Sequence, residues 1–166
     1  MTRREREITD PNKIDHILNN CLYLHLGLVD DGKPYVVPMN YGVARDESDG
    51  HYILYLHSGH TGRKLDIMRK NPECCFTIEL YAEPFEGRMA CQYGVSYECL
   101  MATGKITFVD DPAEKDKGLQ AIMKTQTGKD EFTFDERMVS IVTVMKIDVE
   151  ELTGKFRPLP GQENDK

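Results

Sequence analysis

What the chain is short of sets the first limits. No uncharged apolar run approaches the roughly 20 residues needed to cross a bilayer, so no membrane span is expected. Positive charge is scarce: 21 Lys and Arg stand against 28 Asp and Glu, a net charge of −7. That balance removes attraction to a phosphate backbone as a general mode of action, and bulk nucleic-acid binding with it. The five cysteines, Cys21, Cys74, Cys75, Cys91 and Cys99, are odd in number and contain no C-x-x-C. Neither a disulfide framework nor a structural zinc site is expected from them, and the thiols read as reduced and mostly buried. There is no G-x-G-x-x-G, no P-loop, no nucleophile elbow and no internal repeat. Met1 to Lys13 is dense in charge and lacks the apolar stretch of a secretory signal, so a cytoplasmic location is expected. A chain of 166 residues favours one core, and we expect one domain over residues 1–158 followed by a fraying polar tail over 159–166.

What is present is alternation. Cys21 to Val29 places Leu22, Leu24, Leu26 and Leu28 on one face of a half-buried strand. Asp30 to Pro34 supply turn chemistry before a second β-rich run, Tyr35 to Val43, and after a polar loop His51 to Ser58 alternates again. Arg63 to Asn71 reads as a short helix burying Leu65, Ile67 and Met68 and stopped by Pro72. Strands follow at Cys74 to Ala82, at Ser96 to Val109 with Gly104 placed to bulge it, and at Val139 to Val149, with Glu83 to Gly94 as a loop. Asp111 and Pro112 open a further helix that ends before Gly128. Six strands, short helices and no βαβ alternation predict a mainly β fold, an antiparallel barrel or sandwich.

Chemistry concentrates where the third strand passes into the first helix, at His57, Ser58, Gly59, His60, Thr61, Gly62, Arg63 and Lys64. Free N–H groups at a helix start, a glycine that permits close approach and two cations suit a phosphate group. The competing reading is a solvated strand-to-helix loop. His57 and His60 as a metal pair lack a third ligand fixed by spacing. His57 titrates near neutrality and is the candidate acid–base group, against the alternative of a packing histidine. A second patch, Val36 to Tyr41, contains Pro38, which removes a ladder donor; it is either an edge strand guarded against pairing or a place where freed backbone groups meet a flat ring.

Taken together, Val37, Pro38, Met39, Asn40, Tyr41, then Leu54 to Ser58, then Gly62, Arg63, Lys64 with Asn71 and Pro72, resemble the FMN-binding split-barrel proteins related to pyridoxamine 5′-phosphate oxidase. Within them the likeness is to the nitroimidazole-resistance-like branch. It continues through Ser96 to Cys99, Gly104, Asp110 to Lys115 and Thr153 to Lys155, covering residues 5 to 158. The resemblance implies a homodimer of six-stranded split barrels with FMN in clefts between the subunits. It assigns Gly62, Arg63 and Lys64 to the flavin phosphate, Pro38, Met39 and Asn40 to the ring edge, and His57 and Ser58 to the cofactor face, with His57 catalytic and with Val37, Tyr41, Gly59, His60 and Thr61 also counted as cofactor-binding. Tyr97 and Cys99 would come from the partner chain. The implied activity is an FMN-dependent oxidoreductase passing electrons to a small-molecule acceptor, with NAD(P)H as the donor expected of the class. Phe156, Arg157 and Pro158 are the only counterpart to the arginine motifs with which relatives hold pyridoxamine phosphate, so vitamin B6 synthesis is not implied. A flavin-storing or flavin-sensing protein without turnover, and a haem-binding split barrel, are the rival expectations.

Overall fold

A computed structural model describes residues 4–162. Its strands are β1 (Glu7–Ile8), β2 (Leu24–Asp30), β3 (Lys33–Met39), β4 (Gly42–Arg45), β5 (Tyr52–Ser58), β6 (Glu73–Phe85), β7 (Gly94–Val109) and β8 (Thr143–Arg157). The helices are α1 (Pro11–Asn20), α2 (Arg63–Lys70), α3 (Pro112–Thr127) and α4 (Glu136–Ser140), with 3₁₀ turns at Arg4–Arg6 and Ala90–Gln92. The strands form one antiparallel sheet ordered β3-β2-β6-β7-β8-β5-β4, with β1 added to β8. The mainly β class is therefore as the sequence predicts, with eight strands rather than six. One extra is the two-residue β1. The other arises because the run Tyr35 to Val43 turns a corner at Asn40 and Tyr41, leaving β3 at one margin of the sheet and β4 at the other. The barrel is thus closed by the chain at that corner, not by a ladder.

The alternating residues behave as their period requires. Leu24, Leu26 and Leu28 of β2, Leu54 and Leu56 of β5, Phe76 and Ile78 of β6, and Met145 and Ile147 of β8 point inward to one core, joined by Leu65, Ile67 and Met68 of α2. Each such burial contributes roughly 1.5–3 kcal/mol. Leu22, expected on the same face, precedes the strand and is exposed. A smaller cluster, Ile53, Tyr55, Val109, Ile122 and Val144, lies under α3 on the opposite face of the sheet. Helix α3 approaches closely because Gly42 offers no side chain: a Cβ there would stand 2.1 Å from the Ile122 nitrogen. Asp111 caps α3 by accepting from the Glu114 N–H at 2.9 Å, and Gly128 ends it in the left-handed region at φ 69. The expected irregularity at Gly104 is present as a register shift between Thr103 and Gly104.

Two expectations fail for identifiable reasons. Val139 to Ile141 do not begin the last strand, because Asp135 caps a turn of helix there, accepting from the Arg137 and Met138 N–H groups at 2.9 and 3.3 Å; β8 starts at Thr143 and runs on to Arg157. The thiols are not mostly buried: Cys21 and Cys74 are, Cys99 is half-buried, and Cys75 and Cys91 are exposed. Burial pushes Cys21 to about 11 and Cys74 to about 12, so these two are inert at neutral pH. Of the tail, Leu159 to Gln162 close a turn through the Gln162 N–H to the Leu159 carbonyl at 3.1 Å; residues 163–166 lie outside the described residues. Among the described residues no helix is long and apolar enough to cross a membrane.

Candidate functional site

Strand β5 ends at Ser58 and α2 begins at Arg63, so the four residues Gly59 to Gly62 make the whole connection. Gly62 takes φ 138 and ψ 153 as the helix N-cap, a conformation that a side chain would strain. Its carbonyl accepts from the Leu65 and Asp66 N–H groups at 2.9 and 3.2 Å. The Arg63 and Lys64 N–H groups have no protein acceptor among the described residues. These are the unsatisfied donors of a helix start, where the helix dipole is also positive.

The two cations differ. Arg63 donates from Nε and Nη2 to Asp30 Oδ2 at 3.2 and 3.1 Å, and its guanidinium lies 4.9 Å from the Tyr35 ring centroid. With Lys70 beside Asp31 at 3.7 Å, it pins α2 to the β2–β3 turn. Lys64 is half-buried and, among the described residues, forms no ion pair. It is the charge left for an incoming anion.

His57 is exposed on the outer face of the sheet and has no hydrogen-bond partner among the described residues. Enough protein surrounds its imidazole for desolvation to lower its pKa below the ordinary histidine value, and the charge of Lys64 lowers it further. Ser58 pairs with Thr143 across the β5–β8 ladder. Gly59 and Thr61 are exposed, while both ring nitrogens of His60 are engaged, Nδ1 with Thr143 Oγ1 at 3.0 Å and Nε2 with the Ser140 carbonyl at 2.8 Å. A metal held by His57 and His60 would have to displace one of those contacts.

Arg63 touches Tyr35 near the β2–β3 turn, whereas Pro38, three residues or roughly 10 Å further along that strand, is on its opposite face. Val36 and Pro38 face outward, whereas Val37 is half-buried against the core and Met39 is buried. Asn40 is occupied: its amide donates to the Leu22 carbonyl at 3.1 Å and to Gln126 Oε1 at 3.2 Å. Tyr41 is wholly buried, its hydroxyl donating to the Leu18 carbonyl at 2.7 Å and its own carbonyl accepting from Gln126 at 3.1 Å. Its side chain therefore belongs to the core, with no face turned to a ligand.

Tyr97 and Cys99 are not brought to this place. They share the outer face of β7 with Val109, which pairs with Val144, the residue opposite His57. Twelve residues of β7 separate Tyr97 from Val109, roughly 40 Å of strand. Sequence reading missed the partners that shape the loop, Asp30, Tyr35, Ser140 and Thr143. Asp30 carried a readable signal as the start of a turn; Ser140 and Thr143, about 80 residues away, carried none.

Comparison with known proteins matches residues 10–156 to the family described as pyridoxamine 5′-phosphate oxidase. Among solved structures, one assigned provisionally as a 5-nitroimidazole antibiotic resistance protein from Bacteroides thetaiotaomicron is 35% identical, with 90% of this chain and 86% of that chain covered at a TM-score of 0.77. The flavocytochrome Anf3 from Azotobacter vinelandii, 18% identical over 98% of this chain and 75% of its own, superposes at 0.76. A FAD and heme binding protein from Mycobacterium smegmatis, 15% identical over 97% and 77%, superposes at 0.78. The last two likenesses speak for the fold alone. A search of curated proteins finds no match.

Proposed function

The chain belongs to the pyridoxamine 5′-phosphate oxidase-like family of flavin-binding split barrels, and from that premise we propose that it is an FMN-dependent oxidoreductase of the nitroimidazole-reductase-like kind. The observation that carries the reading is the junction of β5 and α2: two backbone donors, a lysine and a histidine ring that have no partner among the described residues stand together at a glycine-capped helix start. That donor set fits a phosphate dianion, which gains charge-assisted hydrogen bonds there.

The Arg63 and Lys64 N–H groups and the Lys64 ammonium hold the phosphate, with Arg63 keeping α2 in place from behind. Of Val37 to Asn40, the exposed Pro38 edges the ring, Met39 being buried and the Asn40 amide committed. When bound, FMN supplies hydride and single-electron transfer, which side chains lack. His57 then has one task, to deliver a proton to the acceptor. Desolvation and Lys64 keep it largely neutral near pH 7, and an anion that neutralises Lys64 relieves the second of these effects. Protonation of His57 therefore becomes easier in the loaded protein, and because desolvation remains, turnover rises as pH falls below the ordinary histidine value.

The roughly 40 Å of β7 between Tyr97 and Val109, the end of that strand nearest His57, supports a homodimer in which the partner copy brings Tyr97 and Cys99 to the cleft. The outer face of β6, β7 and β8 offers the surface: a largely apolar groove lined by Cys75, Thr77, Met101 and Thr153. The unit acts in the cytoplasm as one flavin-binding domain over residues 1–158, with a nicotinamide as donor and a small molecule as acceptor.

A visible spectrum of natively purified protein tests the reading. A yellow flavin spectrum, with FMN released on heating, is expected; an intense haem band replaces that assignment, and colourless protein that takes up no added FMN ends it. His57→Ala then separates enzyme from store: reduction of a nitro-aromatic acceptor slows while flavin content stays unchanged.

A further inference from the structure

We propose that His60 is a positioning residue: its imidazole latches the Gly59–Gly62 loop onto the start of β8 and the end of α4, presetting the phosphate cradle before any ligand arrives. The proposal rests on the flavin reading above for its consequence, and on geometry alone for the latch.

Among the described residues, no other hydrogen bond holds residues 59–61. The β5–β8 ladder stops at Ser58, and helix hydrogen bonding begins at the Gly62 carbonyl. Between those points no backbone group of Gly59, His60 or Thr61 is hydrogen-bonded among the described residues. An added Cβ at Gly59 or Gly62 would meet nothing within 4 Å, so packing does not fix the loop either. Its tether is one side chain, with Nδ1 at 3.0 Å from Thr143 Oγ1 and Nε2 at 2.8 Å from the Ser140 carbonyl.

The two anchors are different in kind. Thr143 faces Ser58 across the ladder, so the sheet itself fixes where its hydroxyl stands. Ser140 is the last residue of α4, where helix carbonyls have no acceptor role within the helix and the dipole is negative. A carbonyl can only accept, so Nε2 carries a hydrogen, while the Thr143 hydroxyl, able to give or take one, meets Nδ1. One histidine thus closes the loop and caps α4 in the same step. The latch also joins the loop to α3 at one remove, since the segment leading into α4 is held there by Gln120, which donates to the Phe132 carbonyl at 2.6 Å and accepts from its N–H at 2.9 Å.

A loop ordered in advance does not lose its backbone freedom on binding, and affinity for the phosphate gains accordingly. The test compares wild type with His60→Ala, His60→Gln and Thr143→Val in two measurements. In apoprotein, the backbone order parameters of residues 59–62 are expected to fall from about 0.85 to below about 0.6 in His60→Ala. Affinity for FMN is expected to fall about tenfold in the same variant while affinity for riboflavin, which lacks the phosphate, is unchanged. His60→Gln keeps a donor for Ser140 and recovers part of both losses; Thr143→Val loses one contact and falls between. Wild-type order parameters and wild-type FMN affinity in His60→Ala overturn the latch, as does a parallel loss of FMN and riboflavin. If wild type binds neither flavin, the reading of the preceding subsection fails, and the order parameters alone decide the latch: unchanged values in His60→Ala overturn it.

Discussion

Two stretches of the sequence stand out for their polar and turn-forming residues, Val37 to Tyr41 and His57 to Lys64, and the structure treats them in opposite ways. In the first the polar atoms are committed: the Tyr41 hydroxyl to Leu18, the Asn40 amide to Leu22 and Gln126, the Tyr41 carbonyl to Gln126. In the second, His60 and the Arg63 guanidinium are committed to Thr143, Ser140 and Asp30, but the Arg63 and Lys64 N–H groups, the Lys64 ammonium and the His57 ring are held in reserve, without protein partners among the described residues. Committed groups build a corner; reserved groups invite a ligand. Composition does not separate the two, and hydrogen-bond bookkeeping does.

The contrast breaks most visibly at Tyr41. Tyr41→Ala empties a fully buried site and should cost about 3–5 kcal/mol of stability in urea unfolding, while the molecules that remain folded keep their flavin affinity. Loss of flavin from the folded fraction would mean that the corner is part of the cradle. At Lys64 the effects reverse: Lys64→Glu should weaken FMN at least about tenfold by fluorescence titration with little change in the unfolding midpoint. Arg63→Ala removes an exposed pair with Asp30 and should cost no more than about 1 kcal/mol, with a smaller loss of FMN affinity than Lys64→Glu. Equal or greater loss would move Arg63 from the back of the helix to the ligand.

The smallest effect concerns His57. Its pKa in the folded chain lies below that in the unfolded chain, so between the two values the unfolded chain holds more protons and stability falls as pH drops through the ordinary histidine range. Lys64→Gln removes the second cause and should raise the His57 pKa, followed by NMR of the ring protons, and should flatten that slope. An unchanged titration would show that Lys64 does not act on the ring.

Most of the sheet was legible because period-two alternation survives wherever one face meets the core, as in β2, β5 and β6. Legibility failed where local signals competed. Asp10 caps α1 through the Asn12 N–H at 2.9 Å with Pro11 as the first helical residue, and Ile14, Ile17 and Leu18 have helical spacing, yet charge density around them masked the helix. The far half of β8 has Glu150 and Glu151 exposed and reads as loop; it is a strand because β7 and β1 supply partners that spacing cannot announce. The same limit applied to the site. A cap glycine and two cations are local facts, visible in a line of letters, whereas which cation is spent depends on Asp30, some thirty residues away.

The long strand β7 carries Tyr97 near one end and reaches the neighbourhood of His57 at the other. A catalyst assembled from both ends of such a rod obeys mass action: its specific rate declines when the protein is diluted below the concentration at which copies associate, even with flavin in excess. A protein whose chemistry needs only the near end turns over at the same specific rate however dilute it becomes.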